Sequence, residues 1–269
     1  MEKKPLIPID EGPLDIWYES PSVMAVKKPK GIAVHPKNES ESGTLLNRLF
    51  QHNRWLAQME TSTSAGVLHV FEQNDHGLML FSKNDDYQEE LTKALESNEM
   101  TFCYFITIKD DHKIDIPTTE NYHFTIKSQK QLFGYTVIDL RATVGNTRTI
   151  RDLLFPELES SETTFYCYEI KLTLPHTGEL HTFSLRDSSK DYPNIVVFHA
   201  PPCSSCREAR EFLLDNGFIY QDNSVMDKEV FKKMMEINGG KKVIPTIIIG
   251  DQIEMGFDRN RLKGLLGVK

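Results

Sequence analysis

The sequence predicts two domains of different class: an α+β domain with a mixed or mostly antiparallel sheet over residues 1–188, then a smaller α/β domain over residues 189–269. Three observations carry this reading. The chain has 269 residues, more than one small core needs. Strand-like runs dominate the first two thirds, whereas strands and helices alternate after that. Between them lies Asp187-Ser188-Ser189-Lys190-Asp191, followed by Pro193, a polar run with a breaker that suits a linker across 186–193.

In the first domain, apolar patterns of strand type cover residues 23–26, 77–82, 102–108, 135–140 and 165–174. The clearest helical pattern runs over 87–98. In the second, 195–198 reads as a buried strand and 207–215 as a helix followed by Gly217. A short strand is expected at 218–220. Next comes a helix at 227–238, capped by Asp227 and ended by Gly239-Gly240. Strands at 246–249 and 253–255 precede a last helix that starts at Asp258.

Composition narrows the function classes. Apolar residues make up 39% of the chain, enough for packed cores. No apolar run approaches the roughly 18 residues of a membrane helix, so no membrane partner is expected. Lys3 and Lys4 are not followed by an apolar run, so no secretory signal is read and the cytoplasm is the expected compartment. In that compartment a close cysteine pair is redox-active or metal-binding more often than a structural disulfide. Residues 190–269 carry 12 Lys+Arg against 11 Asp+Glu, which leaves the first 189 residues with 19 against 28, a net of −9. Nucleic-acid binding rests on Lys and Arg meeting phosphates, so RNA is not expected as a partner.

Of the four cysteines, Cys103 and Cys167 lie in strand patterns and are expected to be buried and inert. Cys203-Ser204-Ser205-Cys206 follows a strand and opens a helix. A helix N-terminus stabilises a thiolate through its free N–H groups and the macrodipole. The i,i+3 spacing sets the second sulfur on the same face. Cys203 is therefore the expected attacking thiol and Cys206 the resolving one. A zinc site would need further ligands, and His199 alone completes it poorly. Pro245, just before a strand, would ordinarily be a strand-start residue. In a redox fold a cis bond would instead set the backbone of Ile244 beside Cys203, where an extended substrate could pair with it.

Strand, CxxC, helix, then Ile244-Pro245-Thr246 before a strand and Gly256-Phe257-Asp258 before the last helix: this order resembles the glutaredoxins over about residues 194–269. The resemblance implies a thioredoxin-like four-stranded sheet with Pro245 as its cis-proline, and substrate contacts at Ile244, Pro245, Gly256, Phe257 and Asp258. It implies a thiol–disulfide oxidoreductase acting on protein disulfides or glutathione mixed disulfides. No cofactor is expected to be tightly bound; glutathione or a thioredoxin reductase would donate electrons. Two departures stand out. Pro202 occupies a position where many glutaredoxins have an aromatic residue. Met255-Gly256-Phe257-Asp258 looks more like the glutaredoxin-like hydrogen donors of ribonucleotide reductase. Lys241 and Lys242 could meet a glycyl carboxylate or form a solvated charge pair. An iron–sulfur cluster on Cys203 and glutathione is a further alternative.

Over residues 16–186, three strings resemble the pseudouridine synthases of large-subunit ribosomal RNA and tRNA. They are Lys28-Pro29-Lys30-Gly31-Ile32-Ala33-Val34-His35-Pro36, Thr44-Leu45-Leu46-Asn47, and Gly66-Val67-Leu68-His69 leading into Gly77-Leu78-Met79-Leu80-Phe81-Ser82-Lys83-Asn84. Read physically, the first is a strand-like run after a Pro-Gly turn. By this resemblance Tyr104 matches the active-site tyrosine. The family's His-Arg-Leu-Asp, which carries the essential aspartate, reads His69-Val70-Phe71-Glu72 here. Its Gly-Arg-x-His-Gln-Ile-Arg reads Gly178-Glu179-Leu180-His181-Thr182-Phe183-Ser184. Glu72 moves the carboxylate outward, and Ser184 stands where the arginine partner of the aspartate would be. The first domain is therefore expected to be a degenerate, inactive synthase site of Glu72, Tyr104 and Ser184, with His69 and His181 as structural histidines. The leading expectation is a disulfide oxidoreductase. The alternatives are an RNA pseudouridine synthase fused to or regulated by a redox domain, with Glu72 in place of aspartate, and a non-catalytic redox-sensing scaffold.

Overall fold

Two sheets organise the computed structural model, which describes residues 8–268 apart from 39, 54–55, 57–65, 110–111, 113, 115, 133, 175–177 and 186–193. The linker expected at 186–193, and with it the 188/189 boundary, lies outside the described residues. The main break between the two compact units falls between Ser184 and Leu185.

The first sheet has eight strands: β1 (Asp15–Glu19), β2 (Val23–Lys28), β3 (His76–Ser82), β4 (Thr101–Lys109), β5 (Phe124–Leu132), β6 (Tyr135–Ala142), β7 (Thr163–Thr173) and β8 (Leu180–Ser184). The spatial order is β1-β2-β3-β7-β4-β6-β5, and β8 also pairs with β7. The pairs β1–β2, β2–β3, β4–β7 and β7–β8 are antiparallel, while β3 and β7 are parallel. The sheet is thus mixed, as the sequence predicts. Every residue of β3 is buried and β4 is nearly so, the pattern of strands covered on both faces. Helix α1 (Leu45–His52) starts at Thr44, whose hydroxyl accepts from the Asn47 N–H while the Asn47 side chain returns to the Thr44 N–H. Helix α2 (Asp85–Glu96) is capped by Asn84, and α3 (Thr147–Leu154) by Asn146.

Strand β3 meets β7 at Gly77↔Cys167. Gly77 has φ +107°, and a Cβ there would lie 2.1 Å from the Cys167 carbonyl oxygen. Both facts demand glycine. Gly77→Ala should cost about 3 kcal/mol or more in urea unfolding, because backbone strain and a clash with backbone add. An unchanged midpoint would show that β3 and β7 part without cost.

Two parts of the sequence reading need correction here. Residues 29–36 are not a strand: β2 ends at Lys28, and the chain turns away at Pro29, which has no N–H to continue the ladder. Likewise, the strand expected at 218–220 begins instead at Gln221, where the parallel register with Val196 starts. Phe218 and Tyr220 are buried, and this apolar packing produced the strand-like pattern.

The second sheet holds β9 (Ile195–His199), β10 (Gln221–Ser224), β11 (Thr246–Ile249) and β12 (Gln252–Met255), in the order β10-β9-β11-β12. Strand β10 runs parallel to β9; β11 is antiparallel to both β9 and β12. Helices α4 (Ser204–Asp215), α5 (Lys228–Ile237) and α6 (Arg259–Leu266) follow β9, β10 and β12. Asp227 and Asp258 cap α5 and α6. This is the four-stranded thioredoxin-like layout. No helix among the described residues is long and apolar enough to cross a membrane.

Candidate functional site

In the first unit, the turn Glu72–Asp75 joins the end of the Gly66–His69 string to β3, and two neighbouring segments clamp it. Lys28 is buried, and its ammonium donates to the carbonyls of Pro29 (3.1 Å), Gln73 (3.0 Å) and Asp75 (2.5 Å). Burial lowers the Lys28 pKa to about 8, against the opposing charge of Asp75. Gly31 and Gln73 exchange two hydrogen bonds. From the other side, the Thr147 N–H at the start of α3 donates to the Val70 carbonyl.

The Glu72 side chain is 19% exposed, whereas that of Arg151, with which it pairs, is 5% exposed. Arg148, on the same face of α3 and 72% exposed, lies 3.1 Å from the other Glu72 oxygen. Arg151 also donates to Thr163 and packs over the Phe165 ring. The carboxylate that stands where the aspartate would be is therefore held by two guanidinium groups. Ser184 lies opposite Glu169 where β8 pairs with β7, four residues along β7 from Phe165. Ser184 still stands at the signature position, and the arginines beside Glu72 come from a different element, α3.

Tyr104 also departs from expectation. It is fully buried, and its hydroxyl donates to the Gly145 carbonyl at 3.1 Å. Burial pushes its phenol well above the ordinary range. It is a core residue that offers a substrate no surface. His69 accepts from the Leu80 N–H at 3.1 Å and packs against Phe71 and Phe102; burial lowers its pKa to about 3, so it is neutral. His181 lies 3.6 Å from Glu179, away from the Glu72 turn. Cys103 and Cys167 are free and buried.

Asp75 is a participant that the sequence reading missed. Its Oδ2 accepts from the Thr147 hydroxyl (2.5 Å) and the Glu72 N–H (3.2 Å), and its Oδ1 accepts from the Phe165 N–H (2.9 Å). Burial raises its pKa from 3.8 to about 6, against the hydrogen bonds from Thr147 and Phe165 and the charges of Lys28 and Lys30. The folded state therefore holds this proton more tightly than the unfolded one. The associated stability is full below pH 3.8 and is lost as pH rises through about 6. Its size is about 3 kcal/mol, and Asp75→Asn should flatten that part of the urea-stability profile. An unchanged slope would place the titration elsewhere.

In the second unit, Cys203 and Cys206 form a disulfide with Cα atoms 5.2 Å apart. Cys203 is the N-cap of α4, and its sulfur accepts from the Cys206 N–H at 3.1 Å. Cys206 is fully buried, whereas Cys203 is partly exposed. The Ile244–Pro245 bond is cis, and the Pro245 carbonyl accepts from the Gly256 N–H at 2.8 Å, tying these two expected contact segments together. The Asp258 carboxylate accepts from the Arg261 N–H as the α6 cap. Phe257 packs on Phe212 and under Arg259. A cluster that the sequence did not reveal joins β9, α4 and β10: Asp222 is 3.2 Å from both His199 and Arg210. Burial lowers the His199 pKa. Among the described residues no group of three or more His, Cys, Asp or Glu side chains could hold a metal ion.

A mixed sheet carrying a carboxylate held by arginines, followed by a thioredoxin-like unit with a CxxC disulfide, defines the class. The profile of the RNA pseudouridylate synthase family matches residues 22–181, more than half of the chain, and the glutaredoxin profile matches residues 195–254. The chain belongs to the RNA pseudouridylate synthase family, with a glutaredoxin domain after the synthase domain. It is 29% identical over 231 residues to the uncharacterized RNA pseudouridine synthase YlyB of Bacillus subtilis, covering 76% of this chain and 74% of that protein. It is 27% identical to the ribosomal large subunit pseudouridine synthase D of Yersinia pestis over 160 residues, 52% of this chain and 48% of that protein. The chain thus spans about half the length of the latter. A solved structure, human RNA pseudouridylate synthase domain containing 1, aligns with a TM-score of 0.44 and 13% identity, over 68% of this chain and 86% of that one.

These matches overturn the expectation that RNA is not a partner, since the family matched by the larger domain acts on RNA. A domain-wide charge count was the wrong measure, because it averages over surfaces that never meet a phosphate. The matches give no support to glutathione or a thioredoxin reductase as partners. They also move the main enzyme class from disulfide reduction to the synthase domain.

Proposed function

We propose that the chain isomerises uridine to pseudouridine in RNA through its first domain, with Glu72 as the catalytic carboxylate, and that the second domain is a thiol–disulfide module joined to it near residue 188. The observation that carries this reading is the pairing of Glu72 with Arg151 and Arg148. Isomerisation breaks the C1′–N1 bond of uridine, turns the base and forms a C1′–C5 bond, releasing the proton of C5. The ribose carbon develops positive charge as the first bond breaks, and a fixed carboxylate stabilises or captures it. Arg151, nearly buried, holds that carboxylate in one place, which offsets the looseness of the longer glutamate side chain. The names of the relatives make large-subunit ribosomal RNA the first substrate to test.

Tritium release tests it. RNA labelled at uridine C5, transcribed or from ribosomes lacking the modification, should release tritium to water with the full chain. RNA that keeps its label with the wild-type chain would contradict the reading.

Thiol–disulfide exchange in the second domain is supported by the Cys203–Cys206 disulfide at the start of α4. The reduced Cys203 thiolate would attack a disulfide sulfur and expel a thiolate. Cys206 would then attack the mixed disulfide, releasing the second thiol and restoring the bond.

A further inference from the structure

Asp75 makes contacts that a merely packed residue would not need. It stands three residues after Glu72, with its side chain 1% exposed, so it cannot meet RNA itself. One of its oxygens takes the backbone N–H of Glu72 and lies 3.7 Å from the Arg151 guanidinium that also holds the Glu72 carboxylate. The same oxygen accepts from the Thr147 hydroxyl, which itself accepts from the Glu72 N–H. The other oxygen is fixed by the Phe165 N–H of β7. Asp75 therefore touches both ends of the glutamate: its backbone directly, and its carboxylate through Arg151.

We propose that Asp75 is a positioning residue, which sets where the Glu72 carboxylate ends by anchoring the Glu72 backbone and Arg151 from beneath. This rests on the reading of Glu72 as the catalytic carboxylate. It supplies a physical reason why a glutamate can serve where the extra methylene alone would displace the reacting group. The Arg151 guanidinium pairs with Glu72 and lies 3.7 Å from Asp75, close enough for the Asp75 charge to bias where it rests but without a hydrogen bond between them.

The charged groups facing Asp75 are Lys28 of β2, Lys30 in the loop after it, Glu72 in the turn and Arg151 of α3. Its neutral neighbours are the Thr147 hydroxyl, the N–H groups of Glu72 and Phe165, and the buried Tyr104 phenol. Below about pH 6 Asp75 is protonated and holds Arg151 as a neutral group only. Isomerisation by the full chain should therefore fall as pH drops through that value. Asp75→Asn keeps the shape and mimics the protonated form. Its kcat should be about 100-fold below wild type at pH 8, with KM nearly unchanged and no acid limb near pH 6. Thr147→Val removes a hydrogen bond that lowers the Asp75 pKa, so its limb should move to higher pH. Asp75→Asn with wild-type kcat, or with the limb near pH 6 retained, would overturn the proposal.

A second measurement does not need turnover. The 15N signal of the Arg151 guanidinium should titrate with a midpoint near 6 in the wild type and lose that transition in Asp75→Asn. A wild-type signal that stays flat from pH 5 to 7 would overturn the proposal. If the titration appears but wild-type RNA is never modified, the assignment of Glu72 as catalytic fails while the anchoring by Asp75 stands.

Discussion

Glu72→Gln should reduce pseudouridine formation by about 1,000-fold or more, leaving no product above background in a standard incubation. The expectation follows from charge rather than shape. Glutamine fills the same volume beside Arg151 and Arg148 but carries no negative charge to meet the developing cation on the ribose. Removing a nucleophilic or charge-stabilising group commonly costs from about 10³-fold up to 10⁶-fold. The variant also removes one of the two carboxylates beside the buried Arg151 and leaves only Asp75, so some loss of stability should accompany the loss of turnover. The two effects separate by assay at a temperature well below the variant's melting transition. A folded Glu72→Gln protein with more than a tenth of wild-type turnover would assign the reacting carboxylate elsewhere.

Cys203→Ser should remove the fast-reacting thiol of the reduced chain. Three cysteines remain in that variant, Cys103, Cys167 and Cys206, and all are buried. Burial pushes the Cys167 thiol well above the ordinary range, so it is scarcely nucleophilic at neutral pH. Only Cys203 is both partly exposed and placed at a helix N-terminus, with the Cys206 N–H directed at its sulfur. Alkylation of the reduced protein by iodoacetamide should therefore slow by about 100-fold in Cys203→Ser and change little in Cys206→Ser. Equal rates in wild type and Cys203→Ser would place the reactive thiol elsewhere. The synthase activity of either variant, measured beside it, reports whether the second domain regulates the first.

How much of this was legible in the sequence depended on where each signal lay. The second domain was read almost element by element, because its markers are local: Asp227 and Asp258 as caps, the cysteine pair at a strand-to-helix junction, and Pro245 before a strand. In the first domain the long buried strands were legible from apolar runs. Three strands were not. Strand β5 is polar and alternating because it is an edge strand, with little to bury. Strands β1 and β8 are only five residues long. Helix α3 was missed for a similar reason. It has eight residues, several of them β-branched, and no long apolar stripe.

That omission mattered for the site. Arg148 and Arg151 come from α3, so a reading that compared motif positions could see Ser184 as a vacancy but not its replacement from another element. The local hint was Asn146 as a cap, with arginines three residues apart behind it. Asp75 was equally hidden. Its role lies in contacts to Thr147 and Phe165, 72 and 90 residues away, and no pattern within the turn announces them.

The central claim is that this chain isomerises uridine in RNA with the Glu72 carboxylate. Its most direct test is to incubate large-subunit ribosomal RNA lacking pseudouridine with the full wild-type chain, and in parallel with Glu72→Gln, and to map pseudouridine by chemical sequencing. The predicted result is one or a few discrete sites modified by the wild type and unmodified by Glu72→Gln. RNA left unmodified by the wild-type chain, or modified equally by both proteins, would contradict it.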